Sequence, residues 1–140
     1  MSKKLYLHEM DLISDDGHAI HFAYDEEGDI LEVVFDNVKA TCAIELTEEI
    51  LLRFNLERGQ AAGLTILDFS VLASPTEMGP RSFPLTGLAD LPDDLRQTVV
   101  KIIASPPVNQ FLKVSYFYPS PAERLPITYV ERPPALAMIA

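Results

Sequence analysis

The side chains best suited to chemistry in this chain are three histidines and one cysteine. An imidazole can act as a general base or bind a metal ion, whereas a cysteine nucleophile needs a neighbouring base and a lowered pKa. The four residues are His8, His18, His21 and Cys42. All of them lie in the first third of the chain, so the elements predicted there decide whether they can meet.

The spacing of these residues does not match a metal site. A zinc site needs about four converging ligands. His18 and His21 are three residues apart, which places them on opposite sides of a strand. The acidic segment 25–29 alternates like a calcium loop, but an EF-hand requires glycine at its sixth position, where this chain has Ile30. We therefore predict no metal site and no cofactor.

The cysteine and the paired acidic residues are predicted to be structural or solvated. Cys42 shares its strand parity with Ile44 and Leu46, which indicates a buried structural thiol. Acid–base catalysis needs one carboxylate of a pair to be desolvated, but the acidic pairs fall in predicted turns or at a helix start. These pairs are Asp15-Asp16, Glu26-Glu27, Glu48-Glu49 and Asp93-Asp94. Because the chain also lacks a phosphate loop and a nucleophile elbow, we predict no catalytic residues and no enzymatic activity.

The first half of the chain predicts an antiparallel sheet. Apolar residues alternate with polar ones in five runs, and a period of two places each apolar set on one face. The sets are Ile20/Phe22/Tyr24, Leu31/Val33/Phe35, Cys42/Ile44/Leu46, Ile50/Leu52/Phe54/Leu56 and residues 64–67. Segments 25–29 and 56–60 predict hairpin turns whose glycine takes a positive φ, and segment 36–39 predicts a third turn. Residues 1–74 are thus predicted to form an acidic β-meander of about five strands.

The second half predicts a proline-rich loop, one helix and two strands. All 11 prolines follow residue 74, and proline is excluded from central strands. After the loop 73–91, apolar residues at helical spacing predict an amphipathic helix over 92–104. Strands are expected near 111–118 and 127–131, separated by Pro119 and Pro121. The prediction for residues 1–140 is therefore a single domain of the α+β class.

The charge distribution limits the classes of partner that this chain is expected to bind. The net charge is −10, and residues 1–74 hold 15 acidic and 5 basic residues, whereas residues 75–140 hold 6 of each. An acidic surface repels a polyanion, so we expect no nucleic-acid binding by the isolated chain. No apolar run approaches the roughly 20 residues that cross a bilayer, so no membrane association is predicted. The single cysteine fits a reducing cytoplasm.

The stretch 21–35, His-Phe-Ala-Tyr-Asp-Glu-Glu-Gly-Asp-Ile-Leu-Glu-Val-Val-Phe, and the later Ile66-Leu67-Asp68 carry a family pattern. Over residues ~20–70 the chain resembles a bacterial family known as domain of unknown function 2283. The remainder is similar to a C-terminal extension of longer, often cyanobacterial-type relatives. The family implies no activity or catalytic residues; its gene neighbourhoods imply an antitoxin or partner-binding role.

Two features suggest functional surfaces. The strand 111–118 is apolar or aromatic on both faces, which predicts either burial within the chain or an interface with another chain. The candidate interface residues are Phe111, Tyr116, Phe117 and Tyr118. In the loop 73–91, Arg81 is a candidate contact for a small anion. We expect a protein-interaction module that is a homodimer or binds a basic partner; the alternatives are an antitoxin-like regulator and a small-anion-binding protein or enzyme.

Overall fold

The fold is described here from a computed structural model. The structure describes residues 7–130 except 15, 75 and 78–80, and it does not describe the side chains of Leu7, Phe117, Pro119 and Arg124. The strands are β1 Leu7–Ile13, β2 Ala19–Asp25, β3 Ile30–Phe35, β4 Cys42–Thr47, β5 Ile50–Asn55, β6 Gln60–Leu67, β7 Ser82–Pro84, β8 Leu112–Ser120 and β9 Glu123–Val130. The α-helices are α1 Phe69–Leu72 and α2 Asp93–Ile103, and short 3₁₀ segments span Thr86–Leu88 and Val108–Gln110.

Six strands form one antiparallel sheet in the order β1-β2-β3-β6-β5-β4. It consists of two three-stranded meanders, β1–β3 and β4–β6, joined through β3 and β6 at the centre, where Val33 pairs with Leu64. The prediction of one continuous meander is wrong at this point, because β4 does not pair with β3. The segment 36–41 is longer than a tight hairpin turn, which allows the chain to cross to the far edge of the sheet.

The two predicted hairpin turns, after β2 and after β5, are confirmed and are built alike. In each, a side-chain oxygen of the last strand residue accepts the backbone N–H three residues later. The pairs are Asp25 with Gly28 at 3.2 Å and Asn55 with Arg58 at 2.8 Å. The left-handed residue comes next: Gly59 has φ 63°, but in the first turn Asp29 has φ 55°. The prediction that Gly28 takes the positive φ is therefore wrong, since aspartate also tolerates this conformation.

One face of the six-stranded sheet, which we call the inner face, carries the main core. Strands β2, β3 and β5 bury alternate side chains there over most of their length, as their apolar periodicity predicts, and central strand β6 contributes Leu64 and Ile66 to the same core. Helix α2 covers this face with Val99, Ile102 and Ile103, and its first turn carries Asp93 and Asp94. The predicted helix over 92–104 is thus confirmed to within one residue at each end. Acidic residues at the start stabilise it through the helix dipole.

A second, three-stranded sheet has the order β7-β9-β8. Strand β7 lies within the segment 73–91 that the sequence predicts as a loop; it is only three residues long and ends in Pro84. Strand β8 continues past the predicted break at Pro119, and its register with β9 shifts between Phe117 and Ser120. Proline is tolerated there because β8 is an edge strand and the register shift relaxes the hydrogen-bond ladder. The chain is α+β as predicted, and the described residues form nine strands rather than about seven.

The segment after β7 packs against the β4 edge of the large sheet. A Cβ atom built on Gly87 would collide with the backbone carbonyl oxygen of Glu45. The 3₁₀ turn therefore approaches the backbone of β4 so closely that only glycine fits. Strand β1 forms the opposite edge. The sequence does not predict it because its alternation is short: only Met10 and Leu12 supply apolar side chains on the core side, and both are only partly buried.

Candidate functional site

Each of the three histidines is paired with a carboxylate. These contacts connect β1, or the turn after it, with β2 or with the turns at either end of β3. The closest pairs are His8–Glu26 at 2.8 Å, His18–Asp36 at 2.9 Å and His21–Asp11 at 2.7 Å. The partners lie 18, 18 and 10 residues apart in sequence. The structure therefore distributes the imidazoles over three separate pairs instead of gathering them at one centre.

Asp36 is the most constrained of these carboxylates. Its backbone is left-handed, with φ 46°, and its second oxygen accepts the backbone N–H of Ala19 at 2.8 Å. Burial raises the pKa of Asp36, but the hydrogen bonds from His18 and Ala19 outweigh burial, and the pKa is lowered below the ordinary value of 3.8. The pair His18–Asp36 fixes the β1–β2 turn against the end of β3.

A second polar cluster centres on Asp29, the left-handed residue of the β2–β3 turn. Its carboxylate accepts the hydroxyl of Tyr24 at 2.6 Å, the backbone N–H of Ser70 at 2.9 Å and the hydroxyl of Ser70 at 2.7 Å. Its carbonyl accepts the backbone N–H of Phe69 at 3.1 Å. Asp29 thus caps the first turn of α1, whose own N-cap residue, Asp68, makes no side-chain capping bond. We call this cluster the Asp29 latch.

The sequence predicts no metal site and a buried structural role for the thiol of Cys42. Within the described residues, no group of three or more histidine, cysteine or acidic side chains is placed to hold a metal ion. Cys42 is half-buried and packs at the margin of the core together with Ile44. Its predicted parity is therefore confirmed, although the thiol is not fully enclosed.

The opposite face of the large sheet, which we call the outer face, is lined by paired cross-strand rows. One row runs Asp11, His21, Val34, Gly63, Arg53, Ala43, and a second runs Glu9, Ala23, Glu32, Thr65, Leu51, Glu45. Residues that oppose each other in these rows project on the same side of the sheet. Val34 and Leu67 on this face are 45% and 40% exposed, so the described elements leave it open to solvent.

The centre of the outer face is a polar contact among three strands. Arg53 donates to Thr65 at 2.6 Å and to Glu32 at 3.2 Å, and Thr65 donates to Glu32. The guanidinium lies over Gly63, where an added Cβ would come within 2.7 Å of Arg Nη2. With Asp25, the described residues of the outer face carry five carboxylates and one guanidinium. The alternation of side chains along each strand could have indicated which residues of that strand share a face. The order of the strands in the sheet was needed to show which residues of different strands lie side by side.

Only some side chains of the predicted aromatic strand 111–118 are exposed. Phe111 is fully buried and contacts Phe22 and Phe35, with ring centroids 5.3 and 6.0 Å apart. Its prediction as an interface residue is wrong, because it precedes β8 and turns into the core. Tyr116 is half-buried and Tyr118 is 60% exposed. The predicted interface side chain of Phe117 lies outside the described part of the structure.

Arg81, the predicted anion contact, is exposed immediately before β7. The described residues form three surface clefts with volumes of about 390 to 460 Å³, and Arg81 borders none of these three. The largest of them contains other cationic side chains, Arg58 and Lys101.

No helix among the described residues has the length and apolar character needed to cross a membrane. No curated protein and no solved structure matches the chain. A family model does match residues 21–70, which span most of β2, all of β3 to β6, and both ends of the Asp29 latch. The residues that follow, including α2 and the second sheet, are the C-terminal extension. The family whose model matches residues 21–70 is described as Protein of unknown function (DUF2283).

Proposed function

We propose that this chain is a non-enzymatic interaction module whose outer face docks a basic protein. The observation that carries the proposal is the charge of that face: its carboxylates outnumber its one guanidinium, which is already paired with Glu32 at 3.2 Å. Complementary charge accelerates encounter and disfavours wrong partners. A second copy of the chain would present the same negative face, so we favour a different, cationic partner over a homodimer.

The shape of the outer face supports contact with lysine and arginine side chains. Three strands of the sheet each place a small residue on this face, which keeps its surface shallow, namely Ala23 on β2, Ala43 on β4 and Gly63 on β6. Val34 and Leu67 offer exposed apolar area. A basic side chain can lay its apolar stem on such a surface and direct its charged end to a carboxylate. The exposed carboxylates of Glu9 and Asp11 stand at the β1 side of this surface, with side chains 58% and 83% exposed.

The non-enzymatic part of the proposal is supported by how the reactive side chains are used. Each histidine is held by a carboxylate from a neighbouring element, and Asp29 is occupied by Tyr24 and Ser70. These contacts fix turns and strand ends, which is a structural role. The lone cysteine and this architecture suit a reducing compartment, and we place the protein in the cytoplasm.

The experiment is capture of partners from the native host by three forms of the full chain. The first is the wild type. The second neutralises three carboxylates of the outer face, Glu9→Gln, Asp11→Asn and Glu45→Gln. The third is a matched control that neutralises three exposed carboxylates elsewhere, Glu27→Gln, Glu77→Gln and Asp90→Asn, and therefore has the same net charge as the second.

We expect the wild type and the matched control to retain one stoichiometric basic protein that the outer-face variant loses. Equal loss from both variants would show that only net charge matters, and equal retention by both would remove the outer face from the interface; either result contradicts the proposal. The identity of the partner decides the more specific alternative: a small basic toxin would make this chain an antitoxin-like regulator.

A further inference from the structure

We propose that the cleft between the β5–β6 turn and α2 binds a small organic anion, namely a phosphate monoester that carries an apolar group. The cleft encloses about 460 Å³, a volume typical of small-molecule pockets. Its walls come from the β1–β2 turn, the end of β3, the β5–β6 turn and α2 with the residues that follow it. The cleft does not belong to the outer face, so this inference goes beyond the proposed function.

Two cationic side chains without an ion pair among the described residues line this cleft. Arg58 projects from the β5–β6 turn and Lys101 from the last turn of α2, and both side chains are exposed. In the described part of the chain neither forms an ion pair, whereas Arg53 and Arg96 are each paired with a carboxylate. A guanidinium matches phosphate with two parallel hydrogen bonds, and an ammonium adds a point charge. Two unpaired cations at one cleft of an acidic chain favour an anionic ligand.

The third polar group is His18, and its orientation is fixed. Nδ1 donates to Asp36 at 2.9 Å, which leaves Nε2 as the nitrogen available to a ligand. Asp16 lies 3.9 Å from Nε2. Asp36 also borders the cleft, but its two oxygens accept hydrogen bonds from His18 and from the Ala19 backbone. These bonds offset the repulsion that its charge exerts on an anion.

The rest of the wall accounts for the apolar part of the ligand. Leu56 is 46% exposed at the cleft, and Val38 and Ile102 line it beside the cations. Such a combination of apolar walls with a few polar groups is typical of ligand pockets. Glu57 lines the same cleft and has no cationic partner in the described residues. It opposes anion binding, and its removal therefore provides a test in the opposite direction.

The test is an NMR titration of the isotopically labelled full chain with phenyl phosphate, and with phenol as the uncharged counterpart. We expect saturable shifts of the Arg58 and Lys101 amide resonances with phenyl phosphate, and none with phenol at the same concentration. Arg58→Ala and Lys101→Ala should each weaken binding about five- to tenfold, the loss of one charge-assisted contact. Glu57→Gln should strengthen it about two- to threefold.

Arg81→Ala is the matched control, since Arg81 is also an exposed arginine but borders none of the three clefts. Its affinity for phenyl phosphate should equal that of the wild type. The proposal is overturned if phenyl phosphate gives no saturable shift, if phenol binds as tightly, or if Arg58→Ala and Lys101→Ala bind like the wild type. A selective loss in Arg81→Ala would instead place the anion contact in the loop 73–91 and would equally overturn it.

Discussion

Ser70 donates both its backbone N–H and its hydroxyl to the carboxylate of Asp29, a residue that precedes it by 41 positions. Asp29 lies in the turn between β2 and β3, and Ser70 lies in α1, which follows β6. Because β3 and β6 are neighbours at the centre of the sheet, this contact joins the two meanders where they meet. The most recognisable part of the family pattern thus serves the architecture of the sheet.

Removing the Asp29 carboxylate should therefore destabilise the fold. Asp29→Ala loses three hydrogen bonds to a charged group and places alanine at φ 55°, and we expect a loss of about 3 kcal/mol in the free energy of unfolding. Asn tolerates the left-handed backbone, so Asp29→Asn should lose about 1.5 kcal/mol, and Tyr24→Phe about 1 kcal/mol. Urea unfolding measures all three. Equal stability of Asp29→Ala and the wild type would contradict the latch.

Gly87 should be intolerant of any side chain. In Gly87→Ala the new Cβ would meet the backbone of Glu45, which cannot move without distorting β4, and we expect a loss of about 3 kcal/mol. Gly59→Ala is the control, because a Cβ at Gly59 meets nothing within 4 Å and only its φ of 63° is unfavourable; its loss should be about 1 kcal/mol. Urea unfolding distinguishes them, and equal losses would show that the 3₁₀ turn does not rest on β4.

The lowered pKa of Asp36 predicts a pH-dependent stability. A carboxyl whose pKa is lower in the folded state stabilises the fold above its ordinary value of 3.8, and this stabilisation is lost as the pH falls through the folded value. Asp36→Asn suits the left-handed backbone but removes the charge. At pH 5 we expect the variant to be about 1 kcal/mol less stable, a modest value because the group is partly exposed.

The difference between wild type and Asp36→Asn should shrink below pH 3.8, because the wild-type carboxyl is then protonated as well. Urea unfolding of both proteins at pH 5 and at successively lower pH tests this. A difference that stays constant, or that widens on acidification, would show that Asp36 does not act through its charge.

The aromatic residues around β8 should fall into two classes. Phe111→Ala removes a fully buried ring that contacts Phe22 and Phe35, and we expect a loss of about 3 to 5 kcal/mol in unfolding free energy. Tyr118 is 60% exposed, so Tyr118→Ala should change stability by less than about 0.5 kcal/mol. Thermal and urea unfolding would reveal the contrast. A comparable loss in both variants would mean that Tyr118 is covered.

Several elements could be predicted because their causes are local. The apolar spacing of Val99, Ile102 and Ile103 defines α2, and period-two alternation defines β2 to β6. The turns after β2 and β5 are set by short polar segments that contain glycine. The side of β4 on which Cys42 lies follows from strand parity alone. Each of these inferences needs only neighbours within one turn or one strand.

The long-range arrangement could not be predicted because many chain paths satisfy the same local pattern. Nothing local in β3 specifies that β6 rather than β4 lies beside it, and the pairs His18–Asp36 and Asp29–Ser70 depend on that order. The fate of Phe111 likewise depends on whether it precedes or belongs to β8. The outer face emerged only when parity was combined with the observed strand order.

Methyl NMR of the complex locates the surface of this chain that contacts the basic partner, which we propose is the outer face. The chain, labelled at its isoleucine, leucine and valine methyl groups, is titrated with the captured partner at constant salt. Ile13 and Val34 are exposed on the outer face, whereas Leu56 and Leu125 are exposed elsewhere. We expect the resonances of Ile13 and Val34 to shift or broaden while those of Leu56 and Leu125 stay unchanged. Perturbation confined to Leu56 and Leu125 would contradict this proposal.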